Sequence, residues 1–293
     1  MAYAAPIQPT APTGLSPQEN EALQASIFQR LHPRAYLERF LAEGFRPDGR
    51  TLEGWRDVSV NTGSISTADG SALVRLGNTT VVCGVKAEIA EPELDAGNRG
   101  FLVPNLDLPA MCSPRFKPGP PADDAQVLSD RLNEALIASN ILPLESLCIQ
   151  PNKSVWVLYV DATCINYDGN AFDATLLAMV AALKNTRLPK TTYDELTKRT
   201  ICSRKAERIP LDIKRTPVSA SFGIFDSNRI LSDPTAFEEP LLDTTLTVLL
   251  DNSTRELISV SQFGLGSAST DALGSCIQAA KKRWGESKDR IQL

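Results

Sequence analysis

The chain has a single histidine, His32, only three methionines, and no Cys-x-x-Cys pair among its six cysteines. Each scarcity closes a class of chemistry. A Ser-His-Asp relay needs a histidine base, and without a Gly-x-Ser-x-Gly elbow His32 has no obvious nucleophile to serve. It sits in Arg30-Leu-His-Pro-Arg34, between amphipathic segments, where a surface or helix-junction role is expected. Clustered Cys and His ligands for zinc are also missing, so neither metal nor cofactor is expected. Cys83, Cys112, Cys148, Cys164, Cys202 and Cys276 are scattered, as reduced thiols would be. No apolar run approaches the roughly 20 residues that span a bilayer. The opening Met1-Ala-Tyr-Ala-Ala-Pro has neither the basic start nor the apolar stretch of a secretory leader. An intracellular chain without a membrane partner is the expectation.

What is present suits a folded protein: 293 residues, 42% hydrophobic and 22% charged, enough for one large domain or two intimately packed ones. A net charge of −5 argues against coating nucleic acid over the whole surface, but leaves room for a local basic strip.

Proline and small residues mark 1–15 as a disordered tail. Ser16-Pro17 then starts a helix, with a break at Pro33 and a stop at Gly44. From Trp55 to Glu88 apolar residues recur every second position, with turns at Ala68-Asp69-Gly70 and Gly77-Asn78, which predicts an antiparallel meander. Residues 89–100 are loop-like, and Pro104 makes the strand from Phe101 an edge strand or a bulge. A helix is expected over 123–141, with a stripe of Val127, Leu128, Leu132, Leu136 and Ile137. A strand over 154–165 precedes a helix over 171–183 that is apolar nearly all round and therefore buried. Residues 184–217 are poorly periodic, with Ile209, Leu211 and Ile213 as a candidate strand. Four further strands, with turns at 226–228 and 251–253, lead to a closing helix from Ser269 to about Ile291 that bears Leu273, Ile277, Ala280 and Trp284. The class is α+β. The expected domains are the tail, a first subdomain over 16–190 with its leading helix, and a second over 191–293.

The stretch Asn166-Tyr-Asp168-Gly169-Asn170-Ala-Phe-Asp173 ends a strand just before the buried helix. Asp168 and Asp173 can hold a divalent metal or act as an acid/base pair. Alternatively Asp-Gly-Asn is a turn and Asp173 serves the helix N-terminus.

From about Leu37 to Lys288 the sequence resembles the RNase PH family, through Arg46-Pro-Asp-Gly-Arg50, Ala68-Asp-Gly-Ser-Ala72 and the stretch around Asp168. The resemblance implies two similar βαβα-containing halves with helices packed on mixed and antiparallel sheets. Active members carry an Asp five residues before the one matching Asp168, where this chain has Thr163. They grip phosphate with Gly-Thr-Arg or Gly-Ser-Arg, where this chain has Asn170-Ala171-Phe172, and open their first long helix with arginines, where this chain has Asp123-Asp124. An anionic nucleophile beside an anionic RNA backbone needs cations, and removing one electrostatic donor can cost about 3–4 kcal/mol of barrier. Asn166 to Ala174 and Ser113-Pro-Arg-Phe-Lys-Pro-Gly-Pro-Pro121 resemble instead the family's non-catalytic ring subunits in the eukaryotic RNA exosome.

That branch implies an inert role in 3′-to-5′ RNA processing and decay, ribosomal RNA included, in nucleus, nucleolus and cytoplasm. Its implied partners are other RNase PH-type ring subunits, caps of OB and KH type, a hydrolytic nuclease and RNA. Asp168 and Asp173 would then be vestigial. Arg115 and Lys117, in the proline-stiffened loop, are candidate RNA contacts, with Lys86 and Arg99 as further ones; an ordinary solvated loop is the alternative. Lys281-Lys282-Arg283 is expected on a solvated helix face, or else at an RNA or protein contact. The rival functions are a phosphorolytic exoribonuclease using Asp168, Asp173 and a metal, and a free RNA-binding adaptor.

Overall fold

The apolar alternation from Val58 onward becomes a hairpin-linked sheet because Gly77, at φ +56°, supplies the left-handed residue that a two-residue turn asks for. The computed structural model describes residues 17–286 apart from 198, 204–207 and 227–228; the expected 1–15 tail, the Ser16 cap, part of the 226–228 turn and the helix beyond Glu286 lie outside them.

Two units can be distinguished, Met1–Leu52 and Glu53–Leu293. In the first, α1 (Pro17–Leu31) and α2 (Pro33–Ala42) are separated at His32, whose backbone N–H donates to Phe28 O while its ring lies 5.7 Å from that of Phe28. Gly44, at φ +80°, follows the C-cap of α2.

The second unit holds everything else. Its first sheet runs in the order β1 (Val58–Thr62), β2 (Gly70–Leu76), β3 (Thr79–Ala90), β6 (Ser154–Asn166), β4 (Phe101–Asp107), with the short β5 (Cys148–Gln150) also on β6. All pairs are antiparallel except β4 with β6, so the sheet is mixed, and Pro104 lies on the edge strand where its missing N–H costs nothing. β3 continues to Ala90, two residues into the stretch expected to be loop. Between β4 and β5 lies α3 (Asp123–Ser139). Its buried side is Ala125, Leu132, Ala135 and Leu136, while Val127 and Ile137, expected inward, face solvent. Two alanines took the place of larger residues because the helix packs close.

After β6 comes α4 (Ala171–Asn185), buried at every position from Ala171 to Leu183. It packs against β2 and β3 on one side and, on the other, against β11 (Pro217–Phe225), which explains an apolar surface all round. Residues 184–217 are more structured than their pattern suggested: β7 (Arg187–Leu188) pairs with β10 (Ile209–Pro210), and β8 (Thr191–Asp194) forms a hairpin with β9 (Arg199–Cys202). Strands of two to four residues are too short to declare a period. The second sheet is wholly antiparallel, in the order β12 (Arg229–Ser232), β11 (Pro217–Phe225), β13 (Thr244–Asp251), β14 (Leu257–Gly264). The closing α5 (Thr270–Glu286) buries Cys276, Ala280 and Trp284, and packs on β11 and β13. One continuous apolar core joins both sheets to α3, α4 and α5.

The close approach of α4 to β2 rests on Gly70. A Cβ there would sit 2.6 Å from Thr186 Cα and 2.7 Å from Ala182 O, both backbone atoms that cannot step aside. Gly70→Ala is therefore expected to destabilise the protein by about 1–3 kcal/mol, read as a lower urea midpoint.

Candidate functional site

The turn from β6 into α4 is shaped by two left-handed residues, Gly169 at φ +78° and Asn170 at φ +51°. Only glycine fits at 169, since a Cβ would meet the backbone of Thr235 and Ala236 at 2.5 Å. The turn is held from outside. Arg56 Nη1 donates to Asp168 O at 2.7 Å and Nη2 to Gly169 O at 3.3 Å, while Thr79 Oγ1 donates to Gly169 O at 2.7 Å. Arg56 in turn forks onto Asp233, with Nε to Oδ2 at 2.8 Å and Nη2 to Oδ1 at 2.7 Å. Burial works against the Arg56 charge, but Asp233, Asp168 and Glu239 together outweigh it and raise its pKa above the ordinary value. Both partners are buried, Asp233 completely. The backbone carbonyl of Arg56 accepts from Arg283 Nη2 at 3.0 Å, and the Arg283 guanidinium lies 4.6 Å from the Trp55 ring. Arg283 thus turns inward, contrary to the solvated face expected for Lys281-Lys282-Arg283; Lys282 is exposed.

Asp168 and Asp173 do not form a pair facing a common ligand. Asp168 keeps a partly exposed side chain, but Oδ2 accepts from Asn78 Nδ2 at 3.1 Å and lies 3.8 Å from Arg56 Nη1. Asp173 is buried and accepts four hydrogen bonds: from Ser219 Oγ at 2.6 Å, Ser221 N at 2.8 Å, Ser221 Oγ at 2.9 Å and Asn170 Nδ2 at 2.8 Å. Burial pushes its pKa up while these donors pull it down, and burial is the larger influence. Its role is to fasten the first turn of α4 to β11. Asn170 Nδ2 gives its second hydrogen to Asp233 Oδ1 at 2.7 Å, so one amide bridges two buried carboxylates. Among the described residues no group of three His, Cys, Asp or Glu side chains could hold a metal ion.

Beside this turn opens a cleft of ≈ 360 Å³ between α3, the start of α4, the 234–240 segment and β13–β14. Two arginines line it. Arg115 pairs with Asp124 at 2.9 Å, both about half exposed, so this predicted phosphate-binding cation is met by the acidic start of α3. Arg131 was not anticipated. Its guanidinium lies 4.6 Å from the Phe172 ring and 3.8 Å from that of Phe263, and Nη2 donates to Thr247 Oγ1 at 3.1 Å. Burial lowers its pKa, with Asp173 and Glu134 opposing. The cleft therefore keeps one cation that the Asn170-Ala171-Phe172 sequence seemed to rule out. Glu239, also in the wall, accepts from Asn170 N at 2.7 Å and from the Tyr167 hydroxyl; burial raises its pKa, and that of Tyr167 rises through burial and the Glu239 charge.

The other candidates are spread out. Lys117 is exposed in the same loop as Arg115. Lys86 is exposed on β3, opposite Tyr159 of β6. Arg99 pairs with Glu145 at 2.9 Å, close to the Gly100 N–H that donates to Leu144 O. Gly100 abuts Trp156 at the start of β6, whereas Arg115 belongs to the cleft at its end, ~35 Å along the strand at about 3.3 Å per residue. The structure brings Arg115 to the cleft and leaves Arg99 at the other end of the sheet. Sequence reasoning missed Arg56, Arg131, Asp233 and Glu239. Arg131 alone left a trace, as a charge between Leu128 and Leu132 on the inward side of α3.

Comparison with known proteins matches the geometry to a family. Residues 54–189 match the family model "3′ exoribonuclease family, domain 1" (RNase PH), and residues 215–283 match domain 2 of the same family. The exosome complex component rrp43 of Schizosaccharomyces pombe is 42% identical over 259 residues, covering 88% of this chain and 95% of that protein. The exosome complex component Rrp42 of Thermococcus gammatolerans is 38% identical over 253 residues, 86% of this chain and 91% of its own. A solved structure described as an Archaeoglobus fulgidus exosome with RNA bound to the active site superposes with a TM-score of 0.78 at 29% identity, covering 92% of this chain and 99% of the other.

The Arg56–Asp233 pair can be tested apart from any activity. Arg56→Met strands a buried carboxylate and is expected to cost about 3–5 kcal/mol in denaturant unfolding. Combining it with Asp233→Leu, which removes the stranded charge, is expected to recover part of that loss.

Proposed function

This chain belongs to the RNase PH-type 3′ exoribonuclease family, and from that premise we propose that it is a catalytically inert ring subunit of the RNA exosome core. It sits beside other RNase PH-type subunits, under caps of OB and KH type, and passes RNA toward a hydrolytic nuclease. Its place of work is the nucleus, the nucleolus and the cytoplasm.

One observation carries the inert reading: both carboxylates of the ancestral stretch are committed to the protein itself. Asp173 spends four hydrogen bonds on holding α4, and Asp168 answers to Asn78 and Arg56. Asp173 is thereby closed off from any ligand, Asp168 stands apart from it with one oxygen already engaged, and Arg131 is sandwiched between two rings. The arrangement favours architecture over phosphorolysis.

The exposed Arg115–Asp124 pair is the kind of surface ion pair worth about 0–1 kcal/mol, so Arg115 can exchange Asp124 for a phosphate at little cost. Phosphate contacts from Arg115 and Lys117 carry no base preference, which suits a conduit that accepts any RNA. Lys86 and Arg99, away from that loop, contribute separately.

Two measurements test this function. Purified, nuclease-free protein incubated with oligoadenylate, inorganic phosphate and Mg²⁺ is expected to release no nucleoside diphosphate, and Asp168→Asn in the assembled particle is expected to leave RNA turnover unchanged. Collapse of turnover with intact assembly would overturn the inert reading in favour of the enzyme. For the RNA path, Arg115→Ala with Lys117→Ala is expected to weaken binding of single-stranded RNA uniformly across sequences and reduce the slope of log affinity against log salt by about 1.4.

A further inference from the structure

The charge of this chain is unevenly placed. Residues 184–217 carry ten lysines and arginines against four acidic residues, a net +6, so the remainder of a chain whose total is −5 has −11. The described part of this segment, with seven of the cations and three of the acids, forms the β7–β10 and β8–β9 ladders, away from the cleft. Against it lies a groove of ≈ 380 Å³ whose wall includes Cys148, Trp156, Leu188, Pro189, Ile209 and Leu211, with Lys190 and Asp212 at its polar margin. Ile209 is 53% exposed, although it is aliphatic and sits in a β-ladder.

We propose that this groove docks a protein segment that is acidic and carries an aliphatic or aromatic anchor. The apolar wall supplies a place for the anchor; Lys190 in the wall and Arg187 beside Leu188 supply complementarity for carboxylates, while Asp212 is already matched by Lys214. Among the described residues, Arg208 and Lys214 are engaged, with Asp69 at 3.3 Å and Asp212 at 2.7 Å. Lys190, in the groove, and Arg187, opposite Pro210 in the ladder, are exposed and form no ion pair with another described residue. RNA fits the groove less well. The one aromatic ring among its described lining residues, Trp156, is 6% exposed and so offers no face on which a base could stack. The segment also has Ile209 and Pro210 on a two-residue strand paired on one side only, an edge beside which an extended peptide can lie. The proposal stands independently of whether the chain is inert.

The test uses the full chain and the fluorescein-labelled peptide Glu-Asp-Glu-Leu-Ile-Phe-Glu-Asp-Glu, with a second peptide in which the three apolar residues are serine, and with oligouridylate. Fluorescence anisotropy is expected to show saturable, salt-weakened binding of the first peptide. Arg187→Glu with Lys190→Glu, and separately Ile209→Asp, are each expected to weaken it about tenfold. Because a variant can fail to fold, amide hydrogen exchange on the unaltered chain provides the second readout, with protection by the peptide expected at 187–191 and 209–211. Equal binding of the serine peptide would overturn the proposal by removing the groove's role. Displacement of the peptide by oligouridylate, with the same amides protected, would assign the surface to RNA instead. Absence of both binding and protection would also sink it.

Discussion

One buried ion pair determines how the two sheets meet. Arg56 precedes β1 and Asp233 follows β12, 177 residues apart in sequence, yet their fork brings the lead-in of the first sheet to the end of an edge strand of the second. A pair of this kind contributes little net stability over a well-packed apolar alternative, because both ions lose their water. Its value is geometric. The remaining N–H groups of Arg56 reach the carbonyls of Asp168 and Gly169, so the same guanidinium that joins the sheets also sets the turn at the mouth of α4. Around it the core helix is gripped from both sides, by Gly70 against its C-terminal end and by Ser219 and Ser221 against its first turn.

This arrangement changes how the ancestral site should be understood. The sequence suggested a deficit of positive charge, because no arginine stands where active relatives have one. The cleft in fact has two, Arg115 and Arg131. What differs is their engagement: Arg115 faces Asp124, and Arg131 is held between Phe172 and Phe263 with Thr247 as its acceptor. A cation's presence matters less than its freedom to turn toward an incoming anion.

The parts of the fold that were legible in sequence were those whose pattern is local. Alternation over β1 to β3, the proline on an edge strand and the all-apolar α4 each announce themselves over a window of residues. The family resemblance agreed with them and with the matches over 54–189 and 215–283. Packing that depends on distant chain was not legible. Val127 and Ile137 look like core on a helical wheel, but the close approach of α3 selects Ala125 and Ala135 instead. Arg283 belongs to a basic run, and only the arrival of Trp55 makes it an inward residue. For Asp173 the sequence favoured a turn or cap role but left catalysis open until β11 supplied its two serines.

The double donation by Asn170 restricts what can stand in its place. Its amide is shared between Asp173 and Asp233, and its backbone sits in a left-handed conformation that most side chains resist. Replacing Asn170 by a residue without a side-chain amide would deprive two buried carboxylates of a donor at once. The carboxylates would have to change first, and each change alone loosens the turn. One amide thus acts as a keystone: neither acid can be altered without disturbing the other's donor.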